Sequence, residues 1–417
     1  MRTTLLILSC LSASASIFAA EENYGQWSAL REITLNTSPA GAGVAVDQIG
    51  FPVLISLTSQ QADVFAQANA TGADLRFSSA AGAHLPYQIE SWDRTAQKAS
   101  IWVRVDTVKG GSAVQRVRLH WGKAGAADSS NGKAVFQAAD GFKGVWHLGS
   151  TLEDATANGN NGTDSGTASA PDGRIGAARY FENPDPYVTT GKYIALGNPA
   201  GLNLAGRITF EAWVKWLKRD GHRIIICHGA AAGSDLETVL RVGETKDYRT
   251  GVWTNASHYA TLVAPAADSN AWVHLAGVYS GSAWILYRNG LKVSETPADT
   301  NGAKPSPGAW RIGAEFASPP GSPTRSVTRY FHGWLDEVRV SNVARSAEWI
   351  KLAYENQKDA QTLVTVGQTV TALAAPQSRA AMRSQSPPVL RSGELLFRVP
   401  SRKKRGYSAS GADRRIP

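Results

Sequence analysis

The residue types that bind transition metals come closest together at His222, Cys227 and His228. If this segment is a β-strand, side-chain alternation places His222 and His228 on one face. A structural zinc site needs four ligands, and this pair lacks a third, so we interpret these residues as ordinary strand residues. The sequence contains no G-x-S-x-G, H-E-x-x-H or G-x-x-x-x-G-K motif, so these signatures of catalysis and phosphate binding are missing.

Aromatic residues are the second group with possible chemistry, because the exposed face of an aromatic ring can stack on a sugar. The sequence has 13 tryptophans. Those in alternating, strand-like segments are expected to fill cores or to pack on strands; they include Trp146, Trp213, Trp272 and Trp334. Trp216, Trp253 and Tyr259 fall near predicted loops, and we predict that these three residues contact a ligand.

These candidates must be positioned by short β-strands, which fall into two blocks. In the first block, residues 24–139, Ile101, Val103 and Val105 share one face of an alternating segment. In the second block, residues 142–366, Asn289-Gly290 predicts a hairpin turn because both positions tolerate positive φ. A short helix over residues 346–354 is expected to begin at Ser346 as its N-cap. The chain of 417 residues is therefore predicted to be all-β with two domains.

The first 20 residues are typical of a secretory signal peptide. They combine Arg2 with a short apolar run and small residues, and cleavage is expected after Ala15 or after Ala20. The run is shorter than the roughly 20 apolar residues of a membrane span. A lipid-modified Cys10 is the alternative. We therefore predict export to the periplasm, the cell surface or the medium, with Cys227 left as a buried strand residue rather than a reactive thiol.

The net charge of +9 is concentrated at the C-terminus. Residues 378–417 contain ten Lys or Arg and two acids, so +8 lies in this segment and +1 in the rest. Residues 372–417 are rich in Ala, Ser, Pro and Arg without apolar periodicity, which predicts a disordered basic tail. The body is nearly neutral, so we predict no nucleic-acid partner.

Two series of motifs resemble known families. The second block resembles a laminin-G-like, concanavalin A-like lectin/glucanase domain at residues 142–148 (FKGVWHL), 154–162 (DATANGNNG), 208–214 (ITFEAWV), 271–279 (AWVHLAGVY), 286–290 (LYRNG), 311–313 (RIG) and 331–340 (FHGWLDEVRV). The first block resembles the bacterial DUF2341 family at residues 27–33, 51–55, 72–77, 85–93 and 101–105. The resemblances imply two β-sandwich domains, the second a jelly roll. Some relatives of the first family carry an ExbB/TolQ/MotA-type proton-channel domain, and this sequence has no such membrane segment.

The laminin-G-like resemblance also implies a Ca²⁺ site, with ligands in the 154–160 loop and at Asp336. Asp154, Asn158 and Asn160 could supply the oxygens that Ca²⁺ prefers. Ala157 stands where the family usually has glycine, which disfavours the required backbone shape. The alternative is an Asn/Gly turn that binds no ion.

Glucanases of this fold use two glutamates on one strand, in an E-x-D-x-x-E motif or one residue longer, and no glutamate here has that spacing. Glu211 and Glu337 are isolated on their predicted strands, and Asp336, next to Glu337, should point to the opposite face. We therefore predict an exported, non-catalytic protein that binds carbohydrate or a cell-surface protein. The alternatives are an envelope component associated with an ExbB/TolQ-type system, and a glycoside hydrolase whose carboxylates converge from distant segments.

Overall fold

The computed structural model describes residues 22–371, except residues 219, 231–235, 255 and 317–325. The predicted signal segment 1–20, Cys10 and the predicted tail 372–417 lie outside the described residues. Within the described part of the chain, no helix combines the length and apolar character needed to cross a membrane.

The first sandwich is built from two antiparallel sheets and two short helices. Its elements are β1 (Ala29–Leu35), β2 (Gln48–Leu57), α1 (Ala62–Gln67), β3 (Arg76–Ser79), β4 (His84–Leu85), β5 (Tyr87–Asp93), β6 (Lys98–Val108), β7 (Gln115–Trp121) and α2 (Gly132–Val135). One sheet has the order β1-β7-β3-β4, and the other has the order β2-β6-β5.

The second sandwich is a larger pair of antiparallel sheets. Its first strands are β8 (Phe142–Trp146), β9 (Thr163–Ser165), β10 (Ala168–Ala170), β11 (Ala178–Phe181), β12 (Tyr193–Gly197), β13 (Ile208–Trp216), β14 (Arg223–His228), β15 (Glu237–Val242) and β16 (Asp247–Trp253). They are followed by β17 (Ser257–Val263), β18 (Val273–Tyr279), β19 (Trp284–Arg288), β20 (Leu291–Glu295), β21 (Trp310–Ile312), β22 (Glu315–Phe316), β23 (Val327–Thr328) and β24 (Gly333–Ser341).

The strands of the second sandwich form an eight-stranded and a seven-stranded sheet. The former has the order β10-β11-β24-β13-β18-β19-β20 with β8 also paired to β24, and the latter has the order β17-β16-β15-β14-β21-β12-β9. β22 and β23 form a separate ribbon. Single-turn 3-10 helices occur at Tyr24–Gln26, Ser59–Gln61, Ala138–Asp140, Ala200–Leu202 and Ala266–Asp268. This pair of large sheets is the predicted jelly-roll architecture.

The chain returns to the first sandwich after β24. Helix α3 (Ala347–Gln357) packs on β2, where the Trp349 and Phe51 ring centroids are 4.8 Å apart. β25 (Val364–Thr371) then pairs antiparallel with β1 and completes a five-stranded sheet. The predicted end of the second block, Val366, lies inside this strand. Its sequence position is in the second block, but its backbone partners are in the first sandwich.

Two local predictions are confirmed by the backbone. Asn289 and Gly290 have φ of 49° and 77° in the turn between β19 and β20, as a two-residue hairpin requires. The Ser346 hydroxyl accepts a hydrogen bond from the Trp349 amide at 3.1 Å and caps α3.

The central strand β6 is covered on both faces. Ile101 and Val103 are buried as predicted, and Trp102, which alternates to the other face, is also 0% exposed. The ring of Phe136 and the guanidinium of Arg339 contact Trp102, with the guanidinium carbon 4.4 Å from the ring centroid. Arg339 belongs to β24, so the second sandwich covers the outer face of the first.

Candidate functional site

The seven-stranded sheet has one face in the sandwich core and a second face that carries polar residues. Along β15, Leu240 and Val242 enter the core, whereas Val239 packs in a separate small cluster on the other face. Alternation places Glu237 and Arg241 on the face of Val239. We call this the outer face of the seven-stranded sheet.

Gly251 allows a tyrosine ring to lie across the outer face. In the antiparallel register, Gly251 is opposite Val239 on one side and opposite Tyr259 on the other. A Cβ at position 251 would lie 2.0 Å from the His258 carbonyl oxygen and 2.7 Å from Cδ1 of Tyr259, so only glycine fits. The Tyr259 hydroxyl therefore reaches across to β15 and donates a hydrogen bond to Glu237.

Two buried carboxylates lie close together on this face. Glu237 is 0% exposed and Glu315 is 1% exposed. One oxygen of each carboxylate and the Cys227 sulfur lie within 4.8 Å of one another. Arg241 pairs with Glu237 at 2.8 Å, and Arg329 pairs with Glu315. Each buried carboxylate thus has its own guanidinium partner, which offsets the cost of burying its charge.

The two carboxylates differ in the pH at which they ionise. Burial raises the pKa of Glu315 well above its usual value, and the negative charge of Glu237 adds to this effect. Burial also opposes the ionisation of Glu237, but the Arg241 guanidinium, the neighbouring Glu315 carboxyl group and the hydrogen bond from Tyr259 together outweigh burial and lower its pKa. The site therefore favours the charged form of Glu237 and the neutral form of Glu315.

A small cavity opens beside these residues, and it brings together two of the three predicted ligand contacts, Trp253 and Tyr259. Its volume is about 170 Å³. Among the described residues its lining consists of His222, Arg241, Arg249, Trp253, Ser257, Tyr259 and Arg329. The lining thus combines two aromatic rings with guanidinium, hydroxyl and imidazole groups. Such a surface suits a small ligand with hydroxyl groups and one apolar face.

The prediction that Trp216 contacts a ligand is wrong. Trp216 is 1% exposed, and its indole N–H donates to the Tyr248 hydroxyl at 2.9 Å. Trp216 is the last residue of β13, and alternation places it on the same inward face as Val214 and Ala212. The residue is close to a loop in sequence, but its ring fills the sandwich core.

The predicted common face of His222 and His228 is also wrong. His222 lines the cavity on the outer face, whereas the His228 ring stacks on the core residue Trp310 at 4.7 Å. The register of β14 with β15 shifts between Ile224 and Ile226, so a β-bulge reverses the alternation. Cys227 is 1% exposed, as predicted for a buried strand residue.

The predicted calcium loop is closed by its own hydrogen bonds. The Asp154 carboxylate accepts from the amides of Val145, Thr156 and Asn160 and from the Thr156 hydroxyl, at 2.9–3.1 Å. Asn158 and Asn160 donate their side-chain amides to the Lys143 carbonyl at 3.2 and 2.8 Å. A carboxylate has about four lone-pair positions, so a calcium ion would have to displace protein donors from Asp154.

Asp336 is held by a different segment. Its Oδ2 accepts from the Ile175 amide at 2.9 Å, and no hydrogen bond of the described residues joins it to the Asp154 loop. Asp154, Asn158 and Asn160 therefore form one group, and Asp336 belongs to another. The calcium site stays a prediction.

The charged residues around the cavity were not identified from the sequence. One signal was available: Glu237 and Arg241 are four residues apart on a strand, so they share a face. Glu315 and Arg329 come from the β22–β23 region, 78 and 92 residues after Glu237 in the sequence. No local spacing relates them to β15, because only the packing of the ribbon against the sheet brings them there.

Two family models match the chain. Residues 71–149 match the domain of unknown function DUF2341, and residues 188–351 match the concanavalin A-like lectin/glucanases superfamily model Laminin_G_3. No curated protein matches the chain.

The solved structures that match part of the chain include Domain 4 of AbnA, a GH43 extracellular arabinanase from Geobacillus stearothermophilus, in complex with arabinotriose. That match has 19% identity and a TM-score of 0.34 and covers 51% of this chain and 98% of that chain. A second is the binding domain of botulinum neurotoxin DC in complex with SialylT, at 9% identity and a TM-score of 0.37, covering 52% of this chain and 51% of that chain. The match thus spans about half of the neurotoxin chain. The fold assignment follows from the sheets and the family models: the chain carries a DUF2341 region followed by a concanavalin A-like domain.

Proposed function

We propose that the protein is an exported, non-catalytic binding protein whose second sandwich binds carbohydrate in the cavity on the outer face of the seven-stranded sheet. One observation carries the proposal: Trp253 and Tyr259 line one cavity together with three arginines, a histidine and a serine. Export rests on the signal-like segment 1–20.

The lining supplies both kinds of contact that a sugar needs. A sugar ring has an apolar C–H face, which stacks on an aromatic ring, and a rim of hydroxyl groups, which accept hydrogen bonds from guanidinium groups. The guanidinium carbon of Arg241 lies 4.8 Å from the Tyr259 ring centroid, so the two are held together before a ligand arrives. At about 170 Å³ the cavity is below the roughly 300–1,000 Å³ of drug-sized pockets. It therefore suits a single sugar unit or the end of a glycan.

One observation favours the alternative of glycoside hydrolysis. The carboxyl groups of Glu237 and Glu315 lie close together, and their pKa values are shifted in opposite directions. A glycosidase, however, needs two carboxyl groups that flank the scissile bond. Both glutamates are buried, and neither is among the described residues that line the cavity. Their hydrogen bonds and ion pairs instead hold Tyr259, Arg241 and Arg329, which supports a positioning role.

The proposal is tested by thermal unfolding of the protein with soluble polysaccharides, both neutral (arabinan, xylan, β-glucan) and anionic (pectin). A ligand that binds only the native state raises the unfolding midpoint. We expect at least one polysaccharide to raise it without being shortened, as measured by the release of reducing ends. Reducing-end release that Glu315→Gln abolishes would favour the hydrolase. The absence of any shift would favour a protein partner.

A further inference from the structure

A second group of polar side chains is buried where the two sandwiches meet. Glu90 lies on β5 of the first sandwich, Glu337 lies on β24 of the second, and His147 follows β8. The Nδ1 atom of His147 lies 2.5 Å from Oε1 of Glu337 and 3.5 Å from Oε2 of Glu90. These three atoms lie within 4.8 Å of one another. The side chains of Glu90, His147 and Glu337 are 7%, 12% and 1% exposed.

A β-bulge puts Glu337 into this group. Opposite β13, the register of β24 shifts so that Glu337 and Val338 together face Ala212. Glu337 has a φ of 50°, in the left-handed region that residues other than glycine rarely adopt. Leu148, next to His147, has a φ of 60°. Such conformations persist where the surrounding structure enforces them, and they cluster at functional sites.

The orientation of His147 suits a ligand role. Its Nε2 atom lies 3.2 Å from Oε1 of Gln88, and its Nδ1–H donates to the Glu337 carboxylate at 2.5 Å. A metal ion would take the place of the Nδ1 proton while Nε2–H donates to Gln88. A hydrogen bond of this kind from the remote ring nitrogen fixes the tautomer of metal-binding histidines.

The charge of the group is unbalanced. Glu90, Glu337 and Asp336 are three carboxylates, and Asp336 is 0% exposed with an Oδ1 that has no hydrogen-bond partner among the described residues. Arg339 compensates one of them through a 2.6 Å contact with Glu337. An uncompensated buried charge is costly, and a divalent cation would compensate the carboxylates that Arg339 does not.

Two openings lead to the group. Clefts of about 230 and 300 Å³ are both lined by His147 and Gln88. The larger also includes Glu90 in its lining. An ion therefore has a route to His147, and a water molecule has room to complete its coordination.

We infer that Glu90, His147 and Glu337 bind one divalent first-row transition metal ion, with Zn²⁺ as the best match. One imidazole nitrogen and two carboxylate oxygens form a ligand set that Zn²⁺ accepts, whereas Ca²⁺ and Mg²⁺ prefer oxygen ligands throughout. Because the ligands come from both sandwiches, the ion would join the two domains and stabilise their contact.

The test is calorimetric titration of Zn²⁺ into the chelator-treated protein. We expect one Zn²⁺ per chain, with the affinity reduced at least tenfold in His147→Gln and in the isosteric Glu90→Gln. His258→Gln is the matched control, because His258 pairs with Asp299 outside the group, and it should bind as the unmodified protein does. Far-UV circular dichroism of each variant establishes that it is folded.

A second cluster of potential metal ligands, Cys227, Glu237 and Glu315, makes a further control necessary. Cys227→Ser should retain Zn²⁺ binding, and Co²⁺ bound in place of Zn²⁺ should show no thiolate charge-transfer absorption. Loss of binding in Cys227→Ser, unchanged binding in both His147→Gln and Glu90→Gln, or no binding by the unmodified protein would each overturn the proposal.

Discussion

The ring of Tyr259 lies against Gly251 of the neighbouring strand, and its hydroxyl donates to the carboxylate of Glu237 one strand further across the sheet. This contact links a ligand-facing aromatic ring to a buried ion pair. It also makes the shape of the cavity depend on the absence of a side chain at one position.

Gly251→Ala should therefore destabilise the protein and weaken ligand binding. The added Cβ would lie 2.0 Å from a backbone carbonyl oxygen, and overpacking of this kind costs about 1–3 kcal/mol. Urea unfolding measures the change. Gly201→Ala is the control, because a Cβ there meets no atom within 4 Å. Equal stability of the two variants would show that Tyr259 does not require Gly251.

The two buried glutamates should differ in how much stability is lost when each is neutralised. At pH 7, Glu237→Gln leaves Arg241 without its partner and should cost about 3–5 kcal/mol. Burial raises the pKa of Glu315 well above its usual value, so Glu315→Gln removes less charge stabilisation and should cost less than Glu237→Gln. Urea unfolding of both variants at pH 7 measures the difference, and a larger loss in Glu315→Gln would contradict the opposite pKa shifts of the two glutamates.

The pH dependence of stability follows from the same shifts. The pKa of Glu237 is lowered on folding, so its stabilising contribution is present above the unfolded pKa of about 4.5 and is lost as the pH falls through the folded value. The pKa of Glu315 is raised, so its contribution is complete below about 4.5 and declines as the pH rises through the folded value. The destabilisation by Glu237→Gln should accordingly shrink in strong acid.

Asp154→Asn should destabilise the protein by about 1–3 kcal/mol, because the amide nitrogen cannot accept from the backbone donors that now bind the carboxylate. We expect the same loss in Ca²⁺ and in EGTA, since four protein donors already occupy the carboxylate. Thermal unfolding in both conditions measures it. A rise of the unmodified protein's midpoint with Ca²⁺ that Asp154→Asn abolishes would instead establish the calcium site that the sequence predicts.

Much of the fold could be predicted because its signals are local. The Asn289-Gly290 turn and the Ser346 cap depend on residues within a few positions of one another, and the structure has both. The inward face of β6 could likewise be predicted from Ile101 and Val103. The burial of Trp102 could not be predicted, because it depends on Arg339, which is more than two hundred residues away in sequence.

The site was less predictable because it depends on departures from regular alternation. The bulge in β14 separates His222 from His228, and the bulge in β24 puts Glu337 beside His147 and Glu90. A bulge changes which face a side chain occupies, and no residue type in these strands indicates that a bulge is present. The aromatic contacts Trp253 and Tyr259 could be proposed from their sequence positions, but their charged neighbours required the tertiary structure.

The most direct test of carbohydrate binding uses the polysaccharide that raises the unfolding midpoint. This polysaccharide is titrated calorimetrically into the Trp253→Ala variant and into the Trp334→Ala variant. Trp334 is a half-buried tryptophan of the other sheet, so its removal is the matched control. We expect Trp253→Ala to lose about tenfold in affinity, roughly 1.4 kcal/mol, and Trp334→Ala to bind as the unmodified protein does. Unchanged affinity in Trp253→Ala would place the ligand elsewhere and contradict the proposed site.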